Sequence, residues 1–430
     1  MSHEPLAAQA NTLAKQGQWQ AASDKLSQLI REMTGSQPVS LTINRDQYSL
    51  NSLNGLAELS RGESLFFKYH HEEGEEKSIE EYYRAELLQT YGFPVDLPLY
   101  ACKEPGRQLL LYRKRETERF ADVCRRWEAS PDAATLPKLV AAQRALDQLT
   151  FERAISTLRV GDPAQIQKEA IHQLFYNRLI DTEHEAGFGG RVARFYVDKP
   201  MQLGDEILSW EQFANYQWHI NGIHYPHSVA TLFRQAAHYL APSELTDQGV
   251  IVAHGDAHNA NVWFEDEPGQ NARLTLFDPA FAGDQIPALL AEVKATFHNI
   301  FAHPYWLYEP GLAPQHYQVA VAVDHDRQLI AIHHNWQLSK LRQAFLESKI
   351  NHYWRPLLTE LKARQLLPLH WQSIIQLGLF CCPTLVLDLR TGGFGQHNPT
   401  SSALGWAIAV ALGNGGDGLG DWIAPLDMLA

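Results

Sequence analysis

Between Ala253 and Phe264 the chain reads A-H-G-D-A-H-N-A-N-V-W-F, and the polar side chains of His254, Asp256, His258, Asn259 and Asn261 crowd into that short stretch. An apolar run from Val250 precedes them. A second apolar run, Val262 to Phe264, leads through the turn-forming E-D-E-P-G-Q-N into a third, Leu274 to Phe277, which delivers Asp278. Three chemistries are open to this set. His254, Asp256 and His258, at alternate positions, have the types of metal ligands and would serve a metal-dependent hydrolase. That centre needs further ligands, and no second tight cluster stands out among the 20 histidines. In the second reading, His254 and Asp256 only pin a loop by hydrogen bonds. The third is phosphoryl transfer, which needs one carboxylate to orient a hydroxyl and take its proton, and an amide with a second carboxylate to hold magnesium. Asp256, Asn261 and Asp278 supply that set in order.

The elements that must position these groups read as a strand, a loop and a hairpin, which place two carboxylates and an amide at strand ends facing one space. At 430 residues the chain exceeds one ordinary core, and two lobes or more are expected. Lys plus Arg total 36 against 49 Asp plus Glu, and the net charge of -13 argues against a nucleic-acid surface. No uninterrupted apolar run approaches the length of a membrane span. The N-terminus carries no signal-like segment, and the four cysteines show neither zinc spacing nor a disulfide framework, so a cytoplasmic location is expected.

Residues 1–36 read as a helical hairpin broken at Gly17, an N-terminal cap or a dimerisation element. Residues 37–116 read as a small, mostly antiparallel sheet with one helix. Its run E-S-L-F-F-K-Y-H carries Lys68, and its helix from about Ser78 to Tyr91 places Glu86 in a stripe with Ile79, Tyr82, Tyr83 and Leu87. A carboxylate in such a stripe needs a partner. Lys68 is the nearest in sequence, and the alternative is that Glu86 reaches solvent. Residues 117–430 read as mostly helical: Leu136 to Leu149, Ile166 to Ile180, an aromatic helix from Trp210 toward His219, Ala230 to Leu240, Leu338 to Leu361 with a break at Pro356, and His370 to Leu389. A short strand is expected near Arg191, a hairpin over Tyr317 to His333, and Gly-rich loops toward the end.

The stretch H-G-D-A-H-N-A-N, His254 to Asn261, resembles the H-G-D-x-x-x-x-N loop of the aminoglycoside phosphotransferase and choline kinase families, which share the protein-kinase-like fold. The matching protein-kinase loop is H-R-D-x-x-x-x-N. Asp278, here in D-P-A, stands at the D-F-G position, and Gly283-Asp284 resembles the Gly-Asp that follows. There is no G-x-G-x-x-G in the first hairpin, where N-S-L-N-G is the candidate phosphate-covering loop, and His258-Asn259 replaces the commoner His-Pro.

The resemblance implies an α+β, two-lobed fold with a small antiparallel-sheet N-lobe and a large, mostly helical C-lobe. It implies an ATP-dependent kinase moving the γ-phosphate to a hydroxyl, less readily an amine, of a small metabolite that is cationic or sugar-like. ATP and Mg2+ are the implied cofactors. Asp256 would be catalytic, Lys68 and Glu86 would serve the phosphates, and Asn261 and Asp278 would hold the metal. His254 and Asp284 would support the loop. Residues 113–120 would form the hinge, and Trp210, Trp218, His298, His303, Trp306 and Tyr308 are the candidates to line the acceptor pocket, the alternative for each being a place in the core. The residues after 290 would close that pocket or make a homodimer. A metal-dependent hydrolase and a nucleotide-binding pseudokinase are the alternatives.

Overall fold

The computed structural model describes residues 5–44, 52–70, 80–102, 107–180, 188–423 and 426. Helices α1 (Leu6–Lys15) and α2 (Trp19–Thr34) form the expected hairpin, with Gly17 at φ +74° between them and Gly35 at φ +70° ending the second. Next come β1 (Pro38–Ile43), β2 (Ser52–Leu59), β3 (Ser64–His70), helix α3 (Glu80–Thr90), β4 (Tyr100–Ala101) and β5 (Leu110–Arg113). The five strands form one antiparallel sheet in the order β1-β2-β3-β5-β4. Strand alternation puts Leu65, Phe67 and Tyr69 on one face, where they join Leu26, Ile30 and Leu111 in a core that the helical hairpin covers. The hairpin is thus packed on the sheet as a cap.

Lys68 lies on the other face, opposite Asn54 of β2, and both are buried. The described part of the N-S-L-N-G stretch, residues 52–55, is therefore strand rather than turn. Asn54 and Gly55 sit inside β2, and a Cβ on Gly55 would fall 2.0 Å from the Thr42 carbonyl oxygen. The residues joining β1 to β2 lie outside the described set, as does the acidic segment before α3. Among the described side chains of α3, Ala85 and Leu88 are buried and Glu86 is exposed.

The remainder carries a larger core. Helices α4 (Phe120–Ala129) and α5 (Thr135–Thr157) begin it, and residues 114–119 join α4 to the sheet. Its centre is a pair of packed helices, Trp371–Val386 and Pro399–Asn414. The second is buried on nearly every side from Ser401 to Gly413, as an all-round apolar helix must be. Asn398 caps it, with Pro399 at its first position.

Several local expectations fail. Ile166 to Ile180 forms short separate turns, and the expected strand near Arg191 is the helix Gly190–Phe195. The aromatic helix stops at Asn215, after which Gln217–Ile220 becomes a strand pairing in parallel with Leu329–His334. The hairpin there, Val319–Asp324 with Leu329–His334, is as expected. The break near Pro356 is a π-turn, Ile350–Trp354, with Pro356 in the first turn of the next helix. Among the described residues no helix is long and apolar enough to cross a membrane.

Candidate active site

The buried strand Gly249–Ala253 runs between Gly283–Pro287 and Arg159–Val160 and ends at His254. The chain then turns through Gly255 at φ +76°, where a Cβ would lie 2.6 Å from the Phe281 carbonyl oxygen. Conformation and space both demand glycine there. His254 is enclosed. Its Nε2 lies 3.0 Å from the Phe277 carbonyl oxygen, and its Nδ1 accepts from the Asp256 amide at 3.3 Å. A carbonyl only accepts, so the proton sits on Nε2. Burial lowers the pKa of this imidazole. Neutral His254 therefore latches the two acid-bearing loops together.

Asn261 completes the latch. Its side-chain amide donates to the Asp256 carbonyl at 3.0 Å, and its own carbonyl accepts from the Phe277 amide at 2.9 Å. The short hairpin Val262–Glu265 and Arg273–Leu276 then brings the chain back to Asp278. Asp278 sits at φ +57°, in the left-handed region that a non-glycine residue occupies at a cost of about 1–3 kcal/mol, and such strain clusters at functional sites. Its carboxylate, one-third exposed, meets the Lys68 ammonium arriving from β3. Arg84 of α3 donates to the Ala280 carbonyl and ties that helix to the loop after Asp278.

Asp256 is buried, and the group that meets it was not foreseen. Lys294 Nζ lies 3.0 Å from Asp256 Oδ1 and donates to Oδ2 at 3.1 Å. The only sequence signal was a lysine inside the apolar run A-L-L-A-E-V-K-A-T-F. His258 Nε2 stands 3.5 Å from Asp256 Oδ1, and its Nδ1 accepts from the Ala260 amide at 3.3 Å. The His258 ring packs 5.0 Å from that of His298, whose Nδ1 is hydrogen-bonded to the Tyr308 hydroxyl at 2.8 Å.

Burial pushes His258 down to about 4, and does the same to His334 and His397, far from the loop in sequence. Each would take a proton near pH 6.5 when unfolded but only near pH 4 when folded. The unfolded chain then binds more protons between those values, so stability is full above about 6.5 and falls as the pH drops toward 4. The loss should be on the order of 1–3 kcal/mol per imidazole, read as a falling urea midpoint between pH 7.5 and 4.5.

The other residues singled out in the sequence lie as follows. Lys68 meets Asp278, and Glu86, one residue round from the buried Ala85, is exposed. Asp284 does not brace the loop; its half-exposed carboxylate lies 3.5 Å from Arg159. Trp218 and Trp306 are fully buried, packed on Phe213 and Phe297. Trp210 is also buried and stacks on Tyr196. His303 caps the short helix Pro304–Leu307 and faces Glu128 at 3.3 Å, in a buried network with Arg342. Of the expected pocket residues, His298 reaches the acid loop through His258, and Tyr308 is bonded to His298.

A magnesium ion suits the donors at Asn261 and Asp278. Asn261 spends its Nδ2 on the Asp256 carbonyl, leaving Oδ1 as a ligand atom, and the Asp278 carboxylate is partly exposed. Magnesium is commonly held by one or two carboxylates, with waters and phosphates completing the shell. The hydrolase set does not assemble. Both ring nitrogens of His254 and the Nδ1 of His258 are turned to backbone partners, and among the described residues no group of three His, Cys, Asp or Glu could hold a metal ion.

No family model and no curated protein matches this chain. The solved structures it resembles are small-molecule phosphotransferases. An amicoumacin kinase solved with AMP-PNP and Ca2+ is 12% identical, covering 91% of this chain and 92% of that one at a TM-score of 0.45. Spectinomycin phosphotransferase, solved with ADP and spectinomycin, is 13% identical, covering 90% and 98% at 0.40. A macrolide 2'-phosphotransferase from Brachybacterium faecium is 15% identical, covering 83% and 98% at 0.35.

Proposed function

We propose that this protein is an ATP-dependent phosphotransferase acting on a hydroxyl of a small molecule. The carrying observation is the double latch. His254 and Asn261 fasten the loop bearing Asp256 to the strand end bearing Asp278, and Lys68 reaches Asp278 from the separate small sheet. Two acids, an amide and a lysine from remote parts of the chain then serve one space, which is the equipment phosphoryl transfer requires. In this reading the described residues divide into the helical cap, the small sheet and the larger helical part near positions 36 and 116, with residues 113–120 as the hinge and the nucleotide between the two larger parts.

Asn261 and Asp278 would hold magnesium, which neutralises charge on the phosphates as the transfer proceeds. Lys68 would release Asp278 to the metal and contact phosphate oxygens itself. Asp256 would accept a hydrogen bond from the acceptor hydroxyl, aim its oxygen at phosphorus, and take the proton as the new P–O bond forms and the bond to the ADP oxygen breaks. Glu86, exposed here, is given no role. The test is ATP consumption with magnesium against a panel of small alcohols, amino sugars and amino alcohols. Stimulation by one acceptor class supports the reading, whereas no stimulation together with no ATP binding defeats it.

A further inference from the structure

Two buried lysines serve the larger core, and their surroundings differ. Lys349 lies between Asp147 at 2.6 Å and Glu292 at 2.9 Å. Lys294, also buried, meets among the described residues one carboxylate, that of Asp256. An ammonium carries three donors, and burying one against a single carboxylate leaves donor capacity unused at a desolvation cost. Packing alone would favour a second acceptor, as Lys349 has. The nearby imidazoles His254, His258 and His298 all have pKa values lowered by burial, so Lys294 supplies the positive charge beside Asp256.

We propose that Lys294 is a further catalytic residue, meeting the terminal phosphoryl group of the bound nucleoside triphosphate while Asp256 receives the acceptor's proton. This rests on the phosphotransferase reading. A base must lie within hydrogen-bond reach of the attacking oxygen, and that oxygen must come within about 3–3.5 Å of phosphorus. The phosphoryl oxygens are thereby brought close to Asp256, and a cation 3.0 Å from its carboxylate is within reach of them. Without that cation, carboxylate and phosphoryl would repel one another as the acceptor closes in. With it, the charge spread over the equatorial oxygens has a fixed counter-charge in a water-poor setting.

The experiment compares Mg-ATP and Mg-ADP binding to full-length wild type, Lys294→Met and Lys294→Arg by calorimetry. Contact with the terminal phosphoryl predicts that Lys294→Met weakens ATP about tenfold or more and leaves ADP within about twofold, with partial recovery in Lys294→Arg. Lys294→Met/Asp256→Asn, which removes both charges, guards against misfolding from an unpaired acid and should show the same selective loss. Equal weakening of both nucleotides, or none, overturns the proposal for Lys294 while the phosphotransferase reading stands. A wild type that binds neither nucleotide overturns both.

Discussion

Asp256→Asn is expected to lower ATP turnover by about 10²–10⁴-fold while nucleotide affinity changes by no more than a few fold. The substitution keeps the shape and the backbone latches, because His254 and Asn261 bond the main chain of residue 256 rather than its carboxylate. What it removes is the capacity to take a proton from the acceptor. Steady-state ADP release and nucleotide titration on the same preparation measure the two effects. A variant that turns over like wild type would remove Asp256 from the chemistry.

The largest effect on stability should come from Lys349→Met. Asp147, Glu292 and Lys349 are each almost wholly inaccessible. Asp147 accepts further bonds from Gln143 at 2.9 Å and Ser348 at 2.7 Å, which shows how fully the site is built around the ions. Burial raises the Glu292 pKa, and Lys349 opposes that rise. Removing the lysine strands two acids, and breaking a buried pair in this way costs about 3–5 kcal/mol. Arg364→Ala, which breaks a partly exposed pair with Glu360, should cost less than about 1 kcal/mol. Urea unfolding of both variants gives the contrast. Because Glu292 lies two residues before Lys294, Lys349→Met should also lower activity in the fraction that remains folded.

The acid loop was legible because its function confines polar types to a short interval. Asp256, Asn261 and Asp278 stand out by type and spacing alone, and alternation places Lys68 on a strand. Lys294 was invisible for the opposite reason: one lysine in an apolar run has no spacing to compare, and its meaning comes only from Asp256, distant in sequence. Glu86 shows the limit of helical periodicity, since a one-residue error in register carries a side chain from the buried face to solvent. The helix Pro399–Asn414 was passed over because a helix buried all round has no polar face and therefore no period to detect. Residue type left Trp218 and Trp306 open to a pocket or a core reading, and their complete burial puts them in the core, where large rings contribute most.

The most direct measurement is calorimetric titration of ATP into wild type and Asp278→Asn, each with and without magnesium. Saturable binding to wild type that strengthens with magnesium, and a magnesium effect that falls by about tenfold or more in Asp278→Asn, is the predicted result. No binding to wild type, or a magnesium effect indifferent to Asp278, would contradict the assignment of this site to phosphoryl transfer.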